Sequence, residues 1–527
     1  HFVFRCHRLG ATAVVNMCSN DHFDAPLVMI HGLFGWGSKR PCFGLVPSYF
    51  PLSELQDAWR GGPVIAIDVG VGSSDHDRAC EAFAQLHGTK TDYGADHSSK
   101  CGHKRFGADY TGNPLLARWG PAHPVHLIGH SFGGNTALML LKLLEDDFWG
   151  LGTKSDWVVS ITTICSPMHG ASLPFAMGLL EQPCSSSGSP IRPWSFVYFI
   201  NLSLATLFYL HLWCPLLDGI FGFRMRQWRT QISIRDWIFG RNAYWISGDN
   251  MLSEATPKRC RERLCTGLEH LAKVHLIAVV GDAIEPLEPR SALKSLAGRI
   301  GFAAVLGAVL MKAMQRARRK FSLMATVAHR RLMLKASFLG ILCALAPAVV
   351  APVLKPKIVS TTRQLVLRCI HSTCVRPMMR LTSYYVAQAA ASLSGGNGGN
   401  GGYGLLVGAG DVLGNDGLID ISSQTGLNTP LVQSPQRRTG GAAPKSIMSS
   451  NSVANMAMKA ARPLAMSRTY SEVVIGDAKR PRPACLETGK WLMLRVPHAD
   501  HSLGTTFSVH SSAMYDNLLN LLALIKQ

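Results

Sequence analysis

The stretch Val125-His126-Leu127-Ile128-Gly129-His130-Ser131-Phe132-Gly133-Gly134 decides the fold of this chain. It begins as an apolar run that predicts a strand, passes through Gly-x-Ser-x-Gly and leads into a helix-like run from Asn135 to Leu144. At such a junction the turn is so tight that the serine backbone is strained and its hydroxyl stands above the sheet. Gly129 and Gly133 leave room for that turn. The motif also occurs in ordinary Gly/Ser turns, but the flanking strand and helix favour Ser131 as a catalytic nucleophile.

A glycine-rich loop about a hundred residues upstream fits the same arrangement. The apolar run from Pro26 to Ile30 predicts a strand, and His31-Gly32-Leu33-Phe34-Gly35-Trp36-Gly37 follows it. In α/β-hydrolases one backbone N–H of a loop in this place and the N–H after the nucleophile form the oxyanion hole. The predicted donors are therefore the amides of Leu33 and Phe132. A glycine-rich turn without function is the alternative, which the position relative to Ser131 disfavours.

Composition sets outer limits on the number of domains and the partners. The 527 residues allow two or three domains, or one large core with insertions. Lysine and arginine number 53 against 33 acidic residues, so a formal net charge of +20 indicates attraction to anionic lipid surfaces or nucleic acid. The 14 cysteines have no repeated spacing and predict neither a disulfide framework nor a zinc finger. The first residues lack the build of a signal peptide, and we expect the N-terminus to be processed or truncated.

Short motifs recur in a fixed order between Pro26 and about Ala171. They are His31-Gly-x-x-Gly-Trp-Gly37, Asp77-Arg-Ala-Cys-Glu-Ala82, Asp92-Tyr-Gly-Ala95, Gly102-His-x-Arg-Phe-Gly107 and Gly129-His-Ser-x-Gly-Gly134. Their order and spacing resemble the thermostable bacillus-type lipases and, more distantly, the staphylococcal lipases. The resemblance implies an α/β-hydrolase fold, with a central, mostly parallel sheet flanked by helices, a lid and long insertions. The segment 162–170 resembles that family's strand after the elbow, although its histidine, His169, comes one place later.

The same resemblance implies a structural zinc ion held by two aspartates and two histidines. The corresponding residues are Asp77, His97, His103 and, with weaker identity, Asp249. Two neutral imidazoles and two carboxylates give Zn²⁺ four ligands and a neutral, closed site. From spacing alone, solvated loop histidines and a helix-capping aspartate are the simpler interpretation. Cys101 lies two residues from His103 and is a possible competing ligand.

Residues 172–220 are expected to form the lid over the site. Within them, residues 194–217 contain no acidic or basic residue apart from His211, a length that also suits a transmembrane helix. A membrane span there would put consecutive parts of one hydrolase domain on opposite sides of a bilayer. We therefore favour an unusually apolar lid that inserts into a lipid interface.

A basic and apolar insertion, residues 297–404, has no counterpart in the resemblance. Eight basic residues and no acid lie between Lys312 and Lys335, and residues 336–354 form an uncharged run. The pattern is typical of a membrane anchor, but Pro347 and Pro352 interrupt it and favour a surface-lying helix or interfacial hairpin. Nucleic-acid binding is not expected, because no reader motif or aromatic platform accompanies the basic run.

The remaining members of the catalytic triad follow from the resemblance of two later segments. Asp416 corresponds to the family's acid, with Asp411 and Asp420 as alternatives, and His501 corresponds to its base, with His498 as the competitor. The order Ser131, Asp416, His501 is the one that the hydrolase fold requires. The family also holds calcium through acids just after the catalytic histidine. Leu503 and Ser508 stand about where those acids fall, so the calcium site is not expected here.

These assignments divide the chain into an N-terminal extension (1–23), three core segments (24–296, 405–432 and 484–527) and two insertions (297–404, ending in a Gly-rich linker, and a disordered stretch, 433–483). The predicted function is hydrolysis of lipid carboxylic esters at a lipid surface, with triacylglycerols as the favoured substrate class. The alternatives are a phospholipase or galactolipase, and a membrane-associated scaffold with a relict hydrolase core. A membrane-associated, secreted or endomembrane location is favoured.

Overall fold

The structure is a computed structural model that describes residues 25–44, 46–181, 183, 188–213, 223–225, 227–228, 233–264, 268–282, 416, 419, 421–424, 471–474, 486–508 and 510–525. The predicted basic run, the apolar run 336–354, the Gly-rich linker, Asp411 and Asp420 lie outside the described residues.

A seven-stranded sheet forms the centre of the described part. Its strands are β1 (Leu27–Ile30), β2 (Val64–Ile67), β5 (Val125–His130), β6 (Val158–Ile164), β7 (His275–Asp282), β8 (Ser471–Val474) and β9 (Trp491–Pro497). Their spatial order is β2-β1-β5-β6-β7-β9-β8, and every pairing between them is parallel. A separate antiparallel pair, β3 (Lys90–Asp92) and β4 (Phe106–Asp109), lies beside it. The predicted α/β-hydrolase fold, with its parallel central sheet, is confirmed by this topology.

Helices cover the sheet and build the region around its carboxyl edge. They are α1 (Leu52–Ala58), α2 (Asp75–His87), α3 (Ala95–Cys101), α4 (Phe132–Glu145), α5 (Leu173–Met177), α6 (Phe196–Trp213), α7 (Ile234–Ile238), α8 (Ala243–Ile246), α9 (Met251–Glu254), α10 (Pro257–Leu264), α11 (Ile421–Gln424) and α12 (Ser511–Leu522). Within the residues that the structure describes, no helix has both the length and the apolarity that crossing a membrane requires.

The central strands of the sheet are buried on both faces, which explains why they are largely apolar rather than alternating. Val28 and Ile30 of β1 pack on one side with α2 and α4, whereas Leu27 and Met29 pack on the other side with α1 and α12. Successive side chains of a strand point to opposite faces, so one short apolar run serves both cores. The sheet is thereby fixed between two helical layers, and its carboxyl edge is the face on which loops assemble.

One segment differs from its prediction. Residues 433–483 were expected to be a disordered insertion, but β8 within them pairs with β9 through residues such as Val473. The Val473-Val474 pair favours an extended backbone because both side chains are β-branched. The composition averaged over about fifty residues does not reveal a strand of only four residues.

Candidate active site

The turn after β5 has the strained geometry that the sequence predicts. Ser131 has φ 53° and ψ −130°, a conformation that non-glycine residues rarely adopt. A Cβ atom on Gly129 would lie 2.3 Å from the Gly133 carbonyl carbon, and one on Gly133 would lie 2.1 Å from the Ile30 oxygen. The Ser131 amide donates to the Ile164 carbonyl at 2.8 Å. The backbone is therefore packed so tightly that the serine side chain is left at the carboxyl edge of the sheet.

Three residues distant in sequence meet at this point. His501 Nε2 lies 2.9 Å from Ser131 Oγ, and His501 Nδ1 lies 2.8 Å from Asp416 Oδ2. Asp416 Oδ1 accepts the Ile419 amide at 2.9 Å, and the Asp416 carbonyl accepts the His501 amide at 2.7 Å. With Asp416 accepting at Nδ1–H, the imidazole presents an acceptor nitrogen to the serine hydroxyl. The rival His498 is exposed and is not part of this chain of hydrogen bonds.

The two predicted oxyanion donors belong to the segments that flank the serine. A Cβ atom on Gly32 would lie 3.1 Å from Ser131 Oγ, so the loop after β1 passes directly beside the hydroxyl. Phe34, with φ 51°, continues the sharp turn of that loop. Among the hydrogen bonds of the described residues, neither the Leu33 amide nor the Phe132 amide has a protein acceptor. Both N–H groups are therefore available to an oxygen bound at Ser131.

Sequence reasoning missed a second histidine that supports the first. His130 Nε2–H donates to the His501 carbonyl at 2.8 Å, and the Tyr49 hydroxyl donates to His130 Nδ1 at 2.7 Å. Burial, together with the nearby His501, lowers the pKa of His130 to about 3, so the ring is neutral with one donor and one acceptor nitrogen. The loop that carries His501 is thereby tied to β5. The available signal in the sequence was the position of His130 directly before Ser131.

Cys165 is another residue that the sequence did not single out. It follows β6 with φ 50°, is fully buried, and has its sulfur within 4.8 Å of ligand atoms of Asp416 and His501. Burial and then the Asp416 charge raise the pKa of the Cys165 thiol well above its usual value. The thiol is therefore protonated beside the carboxylate that holds His501.

The four predicted metal ligands also come together, in a group separate from the triad. His97 Nε2 lies 3.2 Å from Asp77 Oδ1 and 3.4 Å from Asp249 Oδ1. His103 Nε2 lies 3.6 Å from Asp77 Oδ1 and 3.2 Å from Asp249 Oδ2. Ligand atoms arranged tetrahedrally around zinc at about 2.0–2.1 Å are about 3.3 Å apart. The four histidine-to-carboxylate distances, 3.2 to 3.6 Å, are close to this length.

The chemistry of this cluster fits a cation better than a hydrogen-bonded network. Asp77 Oδ1, His97 Nε2, His103 Nε2 and Asp249 Oδ2 are all buried, and none makes a hydrogen bond of normal geometry within the described residues. Burial lowers the pKa of His97, but the carboxylates of Asp249 and Asp77 outweigh it and raise the pKa to about 12. Two carboxylates facing two imidazoles therefore make a pocket that favours positive charge.

Neighbouring groups orient two of these ligands, as is usual around metal sites. Gln227 Nε2 donates to Asp77 Oδ2 at 2.8 Å, and His103 Nδ1 donates to the Lys104 carbonyl at 2.9 Å, so the neutral form of the His103 ring has its lone pair at Nε2. Cys101 lies in the same group, with its sulfur within 4.8 Å of ligand atoms of His97, His103 and Asp249. It remains a candidate alternative ligand to Asp77.

The predicted lid region contributes an apolar surface next to the site. α6 packs on α7, and Asn201 of α6 accepts the indole N–H of Trp245 at 2.8 Å. Trp194, Phe196 and Phe199, in and just before α6, are 78%, 63% and 50% exposed. Leu33 packs against the same group of buried side chains that anchors α6. α6 is thus docked through Asn201 and through buried side chains such as Val197 and Leu204, while large apolar side chains face outward.

Comparison with known proteins agrees with the motifs. Residues 23–149 match the family model described as the lipase-like, C-terminal domain. A lipase from Staphylococcus hyicus is 34% identical over 163 residues, which are 28% of this chain and 25% of that protein. Lipase 2 of Staphylococcus aureus is 31% identical over 179 residues, 30% of this chain and 25% of that protein. The matched part thus spans about a quarter of the length of these curated relatives.

Solved structures extend the likeness in fold to nearly the whole chain. The crystal structure of Staphylococcus hyicus lipase has a TM-score of 0.51 at 18% identity and covers 95% of this chain and 96% of that one. Lipase 1 from Pelosinus fermentans has a TM-score of 0.51 at 19% identity, with 96% and 100% covered. The predicted resemblance to these lipases is confirmed, and at such identities the structural likeness concerns the fold.

Proposed function

We propose that this chain hydrolyses carboxylic esters of lipids, with triacylglycerols as the favoured substrate class. Part of the chain is similar to staphylococcal lipases. One observation carries the proposal: His501 is hydrogen-bonded to Ser131 at 2.9 Å on one side and to Asp416 at 2.8 Å on the other. A serine, a histidine and an orienting acid in this relation are the arrangement of nucleophilic acyl transfer. The strained backbone of Ser131 and the lipase names of the relatives support the same chemistry.

The reaction follows from the roles that the contacts permit. His501 Nε2 takes the proton of Ser131 Oγ as that oxygen attacks the ester carbonyl, while Asp416 holds the imidazole and stabilises its charged form. The amides of Leu33 and Phe132 donate to the oxyanion, each being worth about 3 kcal/mol in the transition state. His501 then gives its proton to the departing alcohol. Water, activated by the same histidine, releases the acid from Ser131.

The exposed aromatic side chains support a lipid surface as the place of reaction. Trp194, Phe196 and Phe199 present a large apolar area that water solvates poorly, and the formal charge of +20 favours anionic interfaces. Burying these three side chains in lipid would remove their apolar surface from water, which is energetically favourable. We infer that the lid region contacts the lipid that supplies the ester.

We further propose that Asp77, His97, His103 and Asp249 hold a structural zinc ion. The buried and unsatisfied ligand atoms, and the short distances between the histidine nitrogens and the carboxylate oxygens, support this assignment. Four protein ligands leave no open position, so the ion would cross-link α2, α3 and the segment before α9 without entering the reaction. Calcium is not proposed.

The test compares two triad variants with one control variant, on p-nitrophenyl esters and on emulsified triolein. Ser131→Ala and His501→Ala are expected to lose at least about a thousandfold in kcat. His498→Ala, an exposed histidine three residues earlier, is expected to stay within about threefold of the wild type. Undiminished turnover by Ser131→Ala would refute the proposal. Absence of labelling of the wild type by a fluorophosphonate would favour a scaffold, and faster hydrolysis of phosphatidylcholine vesicles than of triolein would assign the substrate to phospholipids.

A further inference from the structure

Arg78 is a buried cation that the catalytic triad does not use. Its side chain is fully buried, and it follows Asp77, the proposed zinc ligand, on α2. The guanidinium is charged at neutral pH, because arginine keeps its proton in proteins. Among the ion pairs of the described residues, none includes Arg78. A buried charge without an opposite charge in contact is costly, and its retention calls for a physical reason.

The hydrogen bonds of Arg78 all lead to neutral acceptors. Nη2 donates to the His31 carbonyl, Nη1 donates to the Gly70 carbonyl at 2.7 Å, and Nε donates to Thr136 Oγ1 at 2.9 Å. His31 is the residue from which the oxyanion loop departs. The guanidinium therefore holds the base of the loop that carries the Leu33 amide.

Arg78 also reaches the other oxyanion donor. Thr136 Oγ1, which accepts from Arg78, itself donates to the Phe132 carbonyl at 3.1 Å. The Arg78 guanidinium carbon lies 5.9 Å from the centre of the Phe132 ring. The same cation is therefore linked to both segments that flank Ser131, one from β1 and one from α4.

Glu81 has a larger electrostatic effect on Arg78 than the other acidic side chain near it, Asp75, but neither forms an ion pair with Arg78 among the described residues. Glu81 accepts the Gly70 amide at 2.5 Å and the Tyr93 hydroxyl at 3.0 Å instead of contacting Arg78. Burial raises the pKa of Glu81 to about 8, with the Asp77 charge adding to it. The guanidinium therefore directs all its hydrogen bonds to the His31 and Gly70 carbonyls and to Thr136, rather than to a carboxylate.

We propose that Arg78 is a positioning residue of the oxyanion hole, fixing the Leu33 and Phe132 segments together and placing a buried positive charge behind the site where negative charge develops. The inference rests on the proposed function. A preorganised charge costs nothing to reorganise during the reaction and stabilises the transition state more than the ground state. Loss of Arg78 thus affects kcat more than KM, whereas a merely structural residue would change the amount of folded protein.

The experiment measures kcat and KM for p-nitrophenyl butyrate, and Ki for a trifluoromethyl ketone whose adduct with Ser131 bears an oxyanion. The variants are Arg78→Met, which removes the charge and all donors, Arg78→Lys, which keeps the charge, and Thr136→Val, which cuts the link to Phe132. Exposed Arg118→Met serves as the control. Circular dichroism and thermal unfolding establish the folded fraction of each.

For Arg78→Met we expect kcat to fall by about 10- to 100-fold with KM within about threefold, because a single lost oxyanion donor costs about 100- to 1000-fold and Arg78 acts indirectly. Ki should rise by the same factor as kcat falls, Arg78→Lys should recover part of both, and Arg118→Met should change neither. If Arg78→Met does not fold, Arg78→Lys and Thr136→Val test the proposal instead. It is supported if kcat falls and Ki rises by the same factor in these two variants.

Two results would overturn the inference in different ways. Folded Arg78 variants and Thr136→Val with wild-type kcat and Ki would refute the role of Arg78 while leaving the esterase proposal standing. A wild-type protein without Ser131-dependent hydrolysis would refute the proposed function, and with it this inference.

Discussion

Replacing Asp416 by asparagine tests the triad at its least accessible member. Asp416 Oδ1 accepts the Ile419 amide at 2.9 Å and Oδ2 accepts His501 Nδ1–H at 2.8 Å. In Asp416→Asn the oxygen of the amide must stay on the Ile419 N–H, since that donor would otherwise be buried and unpaired. The NH₂ group then faces His501 Nδ1 and forces the imidazole tautomer that has its proton on Nε2. Such a ring no longer accepts the Ser131 proton.

The loss expected from this wrong tautomer is about 10⁴-fold in kcat, or about 5.4 kcal/mol of transition-state stabilisation. The two side chains have nearly the same volume, so the fold and the thermal unfolding midpoint should change little. The assay is turnover of p-nitrophenyl butyrate, followed by the rate of fluorophosphonate labelling of Ser131, which should fall with it. Exposed Asp156→Asn is the control and should keep wild-type rates. A kcat for Asp416→Asn within about tenfold of the wild type would refute the reasoning.

Two further predictions concern the metal cluster and acid stability. We expect about one zinc ion per chain in the purified wild-type protein, measured by mass spectrometry. The double variant His97→Ala/His103→Ala should lose this zinc and unfold at a lower temperature. A wild-type protein without zinc would contradict the assignment. Burial lowers the pKa of His126 to about 3, so its folded-state pKa lies below the unfolded value of about 6.5, and stability present above pH 6.5 is lost as pH falls towards 3. Between pH 7 and 5 this loss is about 2 kcal/mol, and urea unfolding of His126→Gln should lack that part of the pH dependence; equal slopes for both proteins would exclude His126 as the cause.

Motifs at strand ends were the most informative part of the sequence. The Ser131 turn was predictable because its geometry needs glycine at fixed positions, and β5 and α4 form on either side of it as expected. Asp416 and His501 were identified only through resemblance, since nothing in composition or periodicity distinguishes them from Asp411 or His498. Their encounter depends on the packing of β7 and β9, which short-range patterns do not encode.

Residues that act through others escaped sequence reasoning altogether. His130 and Cys165 lie beside the triad because the ends of β5 and β6 converge, and a buried histidine or thiol is by itself an ordinary core residue. Arg78 was visible in the Asp-Arg-Ala-Cys-Glu-Ala motif, but a sequence does not reveal that its donors point to three neutral oxygens. Position can be inferred from a pattern, whereas the pairing of buried polar atoms requires coordinates.

The proposed metal cluster and the oxyanion hole are mechanically joined by consecutive residues. Asp77 faces His97 while Arg78, next on α2, donates to the His31 carbonyl, so a displacement of this turn of helix moves both. A second connection runs from Asp249 to Met251, whose amide donates to the Gly72 carbonyl at 3.0 Å and whose side chain packs on Phe132. An ion holding Asp77 and Asp249 together would therefore fix the two walls behind Ser131 at once. With such an ion bound, the cluster would hold in place the segments that carry the Leu33 and Phe132 amides.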